Sequence, residues 1–245
     1  MKKIIIPFVL LTSIIFISCK DDDIFDDYKQ LPKTISGTYG KVDFTYSANG
    51  QLVKVTDKDS ETEYTETLFT YDSTGKIIKF VNVYNEAGSI QTDSYTITYL
   101  ANSQAKVTDE DNNYVMVTFN EKGEVLNFND FGTITTFTYD TRGNIVKISD
   151  DTSTTTVSYN NDKGILSGIA SPKWALLLTD MDLYYFGVNN PVSVNSIYEN
   201  NGTTNTSSDS YTYPTEHIVN GYATRMLVTH NENGETDNEV YTIKY

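Results

Sequence analysis

Few side chains in this sequence are placed for covalent chemistry. His217 and His230 are the two imidazoles available for acid–base work, and both fall in stretches that read as strand or turn. Surface or core roles fit them better than a Ser-His-Asp set. No Gly-rich phosphate loop, Gly-x-Ser-x-Gly elbow, His-Glu-x-x-His or Cys-x-x-Cys occurs. Two carboxylates could run glycoside hydrolysis, but with 33 Asp and Glu any pair can be found, so a pair in the sequence carries no information. The acidic turns Asp57-Lys58-Asp59-Ser60-Glu61 and Asp109-Glu110-Asp111 lack the Gly and closing Glu of a calcium loop. No metal or other cofactor is implied. The residues best suited to hold a ligand are Trp174, Tyr184 and Tyr185, aromatic rings that would border a cavity if the segment carrying them lies over one. Ser73, in Asp72-Ser73-Thr74, matches a short bacterial O-glycosylation signal.

The N-terminus is read as an address. Met1-Lys2-Lys3 and the apolar run from Ile4 to Ile17 form the charged and hydrophobic regions of a signal peptide over residues 1–18, too short for a comfortable membrane span. The run ends in Phe16-Ile17-Ser18-Cys19, which resembles a bacterial lipobox with Phe16 where Leu is usual. That resemblance implies that Cys19 becomes the first mature residue and carries lipid. Residues 19–30 then form an acidic tether. Within it Lys20, Asp21, Asp22 and Asp23 resemble the surface-export signal of lipoproteins in certain gut-dwelling Gram-negative bacteria. The implied location is the outer membrane, lipid-anchored and facing the cell exterior. Loss of residues 1–18 removes two lysines and takes the net charge from −15 to −17. So acidic a chain repels phosphate backbones, which argues against nucleic-acid partners.

From residue 31 to 245 the chain reads as one domain built on a repeat. Asp43-Phe44-Thr45-Tyr46 with Gly50 returns as Leu68-Phe69-Thr70-Tyr71 with Gly75, as Met116-Val117-Thr118-Phe119 with Gly123, and as Thr136-Phe137-Thr138-Tyr139 with Gly143. A fifth copy runs from Val157 to Gly164, and a degenerate one after Tyr99 has Ser103 in the Gly place. A spacing of 20 to 28 residues suits one β-hairpin. Phe44 with Tyr46 and Phe69 with Tyr71 should face the core, Thr45 and Thr70 the solvent. Asp or Asn opens each turn and Gly supplies its positive φ. After the turn, alternation places Val53 with Val55, Ile78 with Phe80, Leu126 with Phe128 and Val146 with Ile148 on the core face.

The unit Phe-Thr-Tyr-Asp-x-x-Gly-Lys-Ile resembles the YD repeat of Rhs and teneurin shells. With the lipobox and the terminal strand Tyr241–Tyr245, the whole chain resembles a family of bacterial lipoproteins of unknown function with a porin-like fold. The resemblance implies architecture only. The expected fold is all-β: an antiparallel meander of about fifteen strands, curled into a barrel or strongly bent sheet. Its second face offers Thr and Lys, so it should stand in water rather than lipid. The pattern breaks once, at about 172–186, where a Ser171 cap, Pro172 and helical spacing from Trp174 predict one short helix, as a plug or a lid. Gly187 and Asn189-Asn190-Pro191 should end it, with strand resuming at Val192, and the Asn/Thr/Ser-rich run 200–210 reads as a mobile loop. Three functions stay open: a non-catalytic binder of glycan, peptide or partner protein; an extracellular carboxylate hydrolase; and a carrier of an apolar ligand inside the barrel.

Overall fold

The computed structural model describes residues 30–38, 40–130, 132–174, 187–200 and 202–245. Eighteen strands follow one another: β1 (Thr34–Ser36), β2 (Lys41–Tyr46), β3 (Leu52–Lys58), β4 (Glu63–Tyr71), β5 (Ile77–Glu86), β6 (Ser89–Leu100), β7 (Gln104–Thr108), β8 (Tyr114–Phe119) and β9 (Val125–Asp130). The second half comprises β10 (Thr133–Tyr139), β11 (Ile145–Ser149), β12 (Ser153–Lys163), β13 (Asn189–Asn200), β14 (Thr203–Thr212), β15 (Ile218–Val219), β16 (Tyr222–Ala223), β17 (Arg225–Glu232) and β18 (Glu235–Lys244). From β2 to β14 each strand pairs antiparallel with the next. β14 then pairs with β17, β17 with β18, β18 with β1 and β1 with β2, so the sheet closes on itself. The result is an all-β barrel of sixteen strands. The short hairpin β15–β16 stands outside the ring and touches β12 at Lys163. Closure removes the free edges that so many strands would otherwise expose.

The repeat turns all fall at one rim. Asp72 shows the mechanism: its Oδ1 accepts the amides of Thr74 and Lys76 at 2.8 and 3.0 Å. Asn120 and Asp140 do the same for residues two and four places on. Gly75 (φ 84°) and Gly123 (φ 79°) supply the left-handed step, and in the degenerate copy Ser103 takes it at φ 54°.

Beside each turn the register slips by one residue, and this corrects the expected inward faces. Thr70 pairs with Lys79 but Tyr71 pairs with Ile77, which leaves Ile78 as a bulge. The same slip occurs at Thr45/Tyr46, Thr118/Phe119 and Thr138/Tyr139. A bulge sets two residues of one strand against one of the other and turns the extra side chain out. Ile77 is therefore 0 % exposed while Ile78 is 39 % exposed. Leu52 and Val125 are buried likewise, whereas Val53, Leu126 and Val146 take the outward bulge position.

The repeat tyrosines link neighbouring copies. Tyr71 Oη donates to Leu52 O at 2.6 Å and Tyr159 Oη to Ile145 O at 2.8 Å, each acceptor being the inward aliphatic of the preceding hairpin. The Tyr99 and Tyr139 hydroxyls lie at the backbones of Ile77 and Val125, the equivalent places. Burial raises the pKa of all four.

The excursion from Gly164 to Trp174 leaves β12 and crosses the repeat rim. Ala170 N donates to Gly50 O at 3.0 Å, Leu52 N to Ser171 Oγ at 2.7 Å, and Ser171 Oγ also meets Tyr71 Oη at 2.7 Å. Ile165, Leu166 and Trp174 are buried there, so this rim is sealed. The fifth repeat copy thus yields the crossing segment and not a tight turn. Of the helix expected at 172–186, all beyond Trp174 lies outside the described residues.

At the other rim no such cover exists among the described residues. Ser89–Asp93 and Glu235–Asn238 are exposed on both faces of the sheet. The run 200–210, expected as a loop, is mostly strand β14, in register with both β13 and β17. Strand also resumes at Asn189, ahead of the expected Val192. Mid-strand Lys79, Lys106 and Lys147 occupy outer-face positions, where a lipid-facing barrel would need apolar side chains, at about 2 to 4 kcal/mol per basic residue. The same wall also exposes Leu68, Ile78 and Leu126.

Candidate functional site

The sealed rim holds a cleft of about 610 Å³ between the repeat turns and the crossing segment. Its floor is aromatic. Trp174, 6 % exposed, meets the rings of Phe119 and Tyr99 edge-on, with centroids 5.3 and 6.3 Å apart. Tyr139 and Ile145 complete this wall. These side chains come together because each Phe or Tyr is the last inward residue before a repeat turn, and the crossing segment lowers Trp174 among them.

The lip is charged, with Lys76, Lys122, Arg142 and Lys173 facing Glu121 and Glu124. Four cations against two carboxylates make a basic cleft in a chain of net charge −15. Lys76 Nζ lies 4.9 Å over the Tyr99 ring, within cation–π reach. Burial lowers the Lys173 pKa, and the nearby Glu124 charge opposes that shift. Glu124 is itself held by Asn120 Nδ2 at 2.6 Å. Arg142 donates to Asn161 Oδ1 at 2.8 Å and lies 3.5 Å from Asp140.

Beside the cleft a buried amide network fixes the wall. Asn144 is fully buried. Its Nδ2 donates to Asp140 Oδ2 at 2.9 Å and to Asn189 Oδ1 at 3.0 Å, while its Oδ1 accepts Asn189 N at 3.0 Å. Asn190 Oδ1 accepts Ile165 N at 3.0 Å. Gly164 and Gly187 allow the close approach: a Cβ on Gly164 would meet Gly187 O at 2.4 Å. Burial pushes the Asp140 pKa up, but hydrogen bonds from Asn144 and the Arg142 amide, and the Arg142 charge, outweigh it and hold the carboxyl low. Asn189 and Asn190, read from sequence as helix terminators, are therefore buried struts.

Of the aromatic residues singled out in the sequence, Trp174 lies in the cleft, while Tyr184 and Tyr185 lie outside the described residues. So do Cys19, Lys20, Asp21, Asp22 and Asp23. Ser73 is exposed on its turn, within the Asp72 cap. His217 ends a short 3-10 turn, Thr215–His217, and His230 pairs with Asp209 at the opposite end of the barrel. Nothing brings the two histidines together. Lys76, Lys122, Arg142 and Lys173 escaped the sequence reading. For the first three the signal was a basic residue in or just after a repeat turn, which looks like ordinary solvation until the turns are seen to share one rim.

No family model matches the chain, and no curated protein matches it. Among solved structures, a porin-like protein from Bacteroides uniformis is similar over 82 % of this chain and 99 % of its own, at 16 % identity and a TM-score of 0.43. A porin-like protein from Bacteroides vulgatus is similar over 88 % of this chain and 99 % of its own, at 11 % identity and a TM-score of 0.38.

Proposed function

We propose that the protein is a non-catalytic binding lipoprotein, held at the outer-membrane surface through Cys19, whose rim cleft takes a glycan that carries an acidic group. The carrying observation is the pairing of an aromatic floor, Trp174, Phe119, Tyr99 and Tyr139, with a cationic lip in an otherwise acidic chain. Sugar rings pack on aromatic faces, and lysine and arginine at the lip supply charge-assisted hydrogen bonds to a carboxylate or sulfate. At about 610 Å³ the cleft matches the ordinary size of small-ligand sites, about 300 to 1,000 Å³. An entirely apolar cargo fits less well, since the lip would strip it of nothing and remain wet. The hydrolase reading has no support in the carboxylates that shift among the described residues: Asp43, Asp72, Asp140 and Asp150 all move down. A glycosidase acid must move up.

The chain's single tryptophan, Trp174, reports directly on this cleft. Titration with uronic-acid oligosaccharides should change its emission, and the neutral oligosaccharides of the same linkage should bind at least about tenfold more weakly. Lys122→Ala with Arg142→Ala should erase that preference. Equal response to neutral and acidic sugars, or none to either, would overturn the reading. For the anchor, Cys19→Ala should move the protein from the membrane to the soluble fraction, and unchanged fractionation would refute lipidation. Replacing Asp21, Asp22 and Asp23 with Ala should cut cleavage by external protease if they direct export.

A further inference from the structure

The open rim holds a second cleft, of about 460 Å³, on the inner wall between β5 and β10. Its chemistry is opposite to that of the sealed rim. Phe80 and Tyr95 stack face to face, with centroids 4.5 Å apart and planes 7° from parallel, and Phe80 is buried behind Tyr95. Phe128 also lines the cleft and stands edge-on to Phe137 at 5.5 Å. Asp109 and Asp130 form the lip, and no cationic side chain lines the cleft among the described residues. At its edge the Tyr114 ring already takes the Lys106 ammonium, at 4.2 Å, on the strand's other side. Burial raises the Tyr95 pKa, and the charges of Asp93 and Asp109 add to the shift.

We infer that this cleft binds an organic ammonium ion, its ring or alkyl body against the Tyr95 and Phe128 rings and its charge beside Asp109 and Asp130. A bare metal ion suits the site poorly: calcium takes six or more oxygens, and no three metal-ligating side chains converge among the described residues. A soft cation with an apolar body uses both halves of the cleft, the ring faces by cation–π attraction and the carboxylates by charge. A neighbouring acidic cleft at the same rim, lined by Asp57, Asp59, Glu63 and Glu86, adds to the field that draws cations in. This inference stands apart from the glycan reading, which concerns the other rim.

Isothermal titration of the purified protein with phenethylammonium tests it, with 2-phenylethanol as the neutral isostere. The ammonium should bind at least about tenfold tighter than the alcohol. Raising NaCl from about 20 to about 200 mM should weaken it several-fold. Asp130→Asn, at an exposed position, should weaken it about three- to tenfold, and Tyr95→Leu should do so through loss of the ring face. Trp174 emission, at the opposite rim, should not change. Equal affinity for the alcohol, salt-independent binding, wild-type affinity in both variants, a Trp174 response, or no binding at about 10 mM would each overturn the inference.

Discussion

The two rims of this barrel are made by the same strands yet obey different physics. At the sealed rim four hairpins repeat one turn, one bulge and one inward aliphatic, and the segment 164–174 covers the result, so Leu52, Ile77, Val125, Ile165 and Leu166 are removed from water. At the open rim β6, β14 and β18 run on with water on both faces, and their side chains pair by hydroxyl and carboxylate instead. Tyr198 Oη donates to Glu232 at 2.7 Å, and Thr229 Oγ1 to Asn238 Oδ1 at 2.7 Å. Stability is therefore concentrated at one end, and the other is held mainly by backbone ladders. The charges divide the same way, with the basic cleft at the sealed rim and the acidic ones at the open rim.

The largest contrast should come from truncating one aliphatic residue at each end. Leu52→Ala removes a side chain that is 0 % exposed and should cost about 2 to 5 kcal/mol. Ile90→Ala, at 63 % exposure on the open rim, should change stability by less than about 0.5 kcal/mol. Chemical denaturation of both variants checks this, and similar costs would mean that the core extends evenly along the barrel. A middle-sized effect is expected from Tyr71→Phe. It removes the hydroxyl that joins Leu52 O and Ser171 Oγ, and should cost about 1 to 3 kcal/mol because the Leu52 carbonyl loses its donor and the Ser171 hydroxyl its acceptor. Hydrogen exchange should then quicken at Leu52 N, which bonds to Ser171, while amides of β17 and β18 keep their rates.

The same division explains which parts of the molecule could be read from its sequence. The repeat was legible because a covered rim needs inward aromatics and left-handed turn residues at fixed spacing, and Tyr71, Asp72 and Gly75 are those residues. Alternation misplaced Ile78 and Leu126 because a bulge changes register without changing residue type. The run 200–210 passed for a loop because a strand wet on both faces needs no apolar alternation, so Thr203–Thr212 carries no period-2 signal. The cleft at the sealed rim was half visible. Trp174 stood out by type, but Lys76, Lys122 and Arg142 come from separate hairpins whose turns the consecutive antiparallel pairing sets along one rim. Asn144 and Asn189 lie 45 residues apart, and nothing in either neighbourhood announces the other.

The smallest effect should be confined to the open rim and should depend on pH. Asp209 on β14 hydrogen-bonds His230 on β17 and raises its pKa above the ordinary 6.5; burial opposes the shift, and the charges of Asp209, Glu232 and, on β18, Asp237 add to it. The imidazolium therefore stabilises the folded state fully below about pH 6.5, and that contribution is lost as pH rises through the higher folded value. The ring is nearly half exposed, so the change in melting temperature between about pH 6 and pH 8 should be small. His230→Gln should remove it. Since the sealed rim lies a full strand length away, Trp174 emission should hold constant across the same range, and amide exchange should rise only in β14, β17 and β18. A pH-dependent Trp174 signal that vanishes in His230→Gln would mean that the two rims are coupled and that the barrel responds as one body.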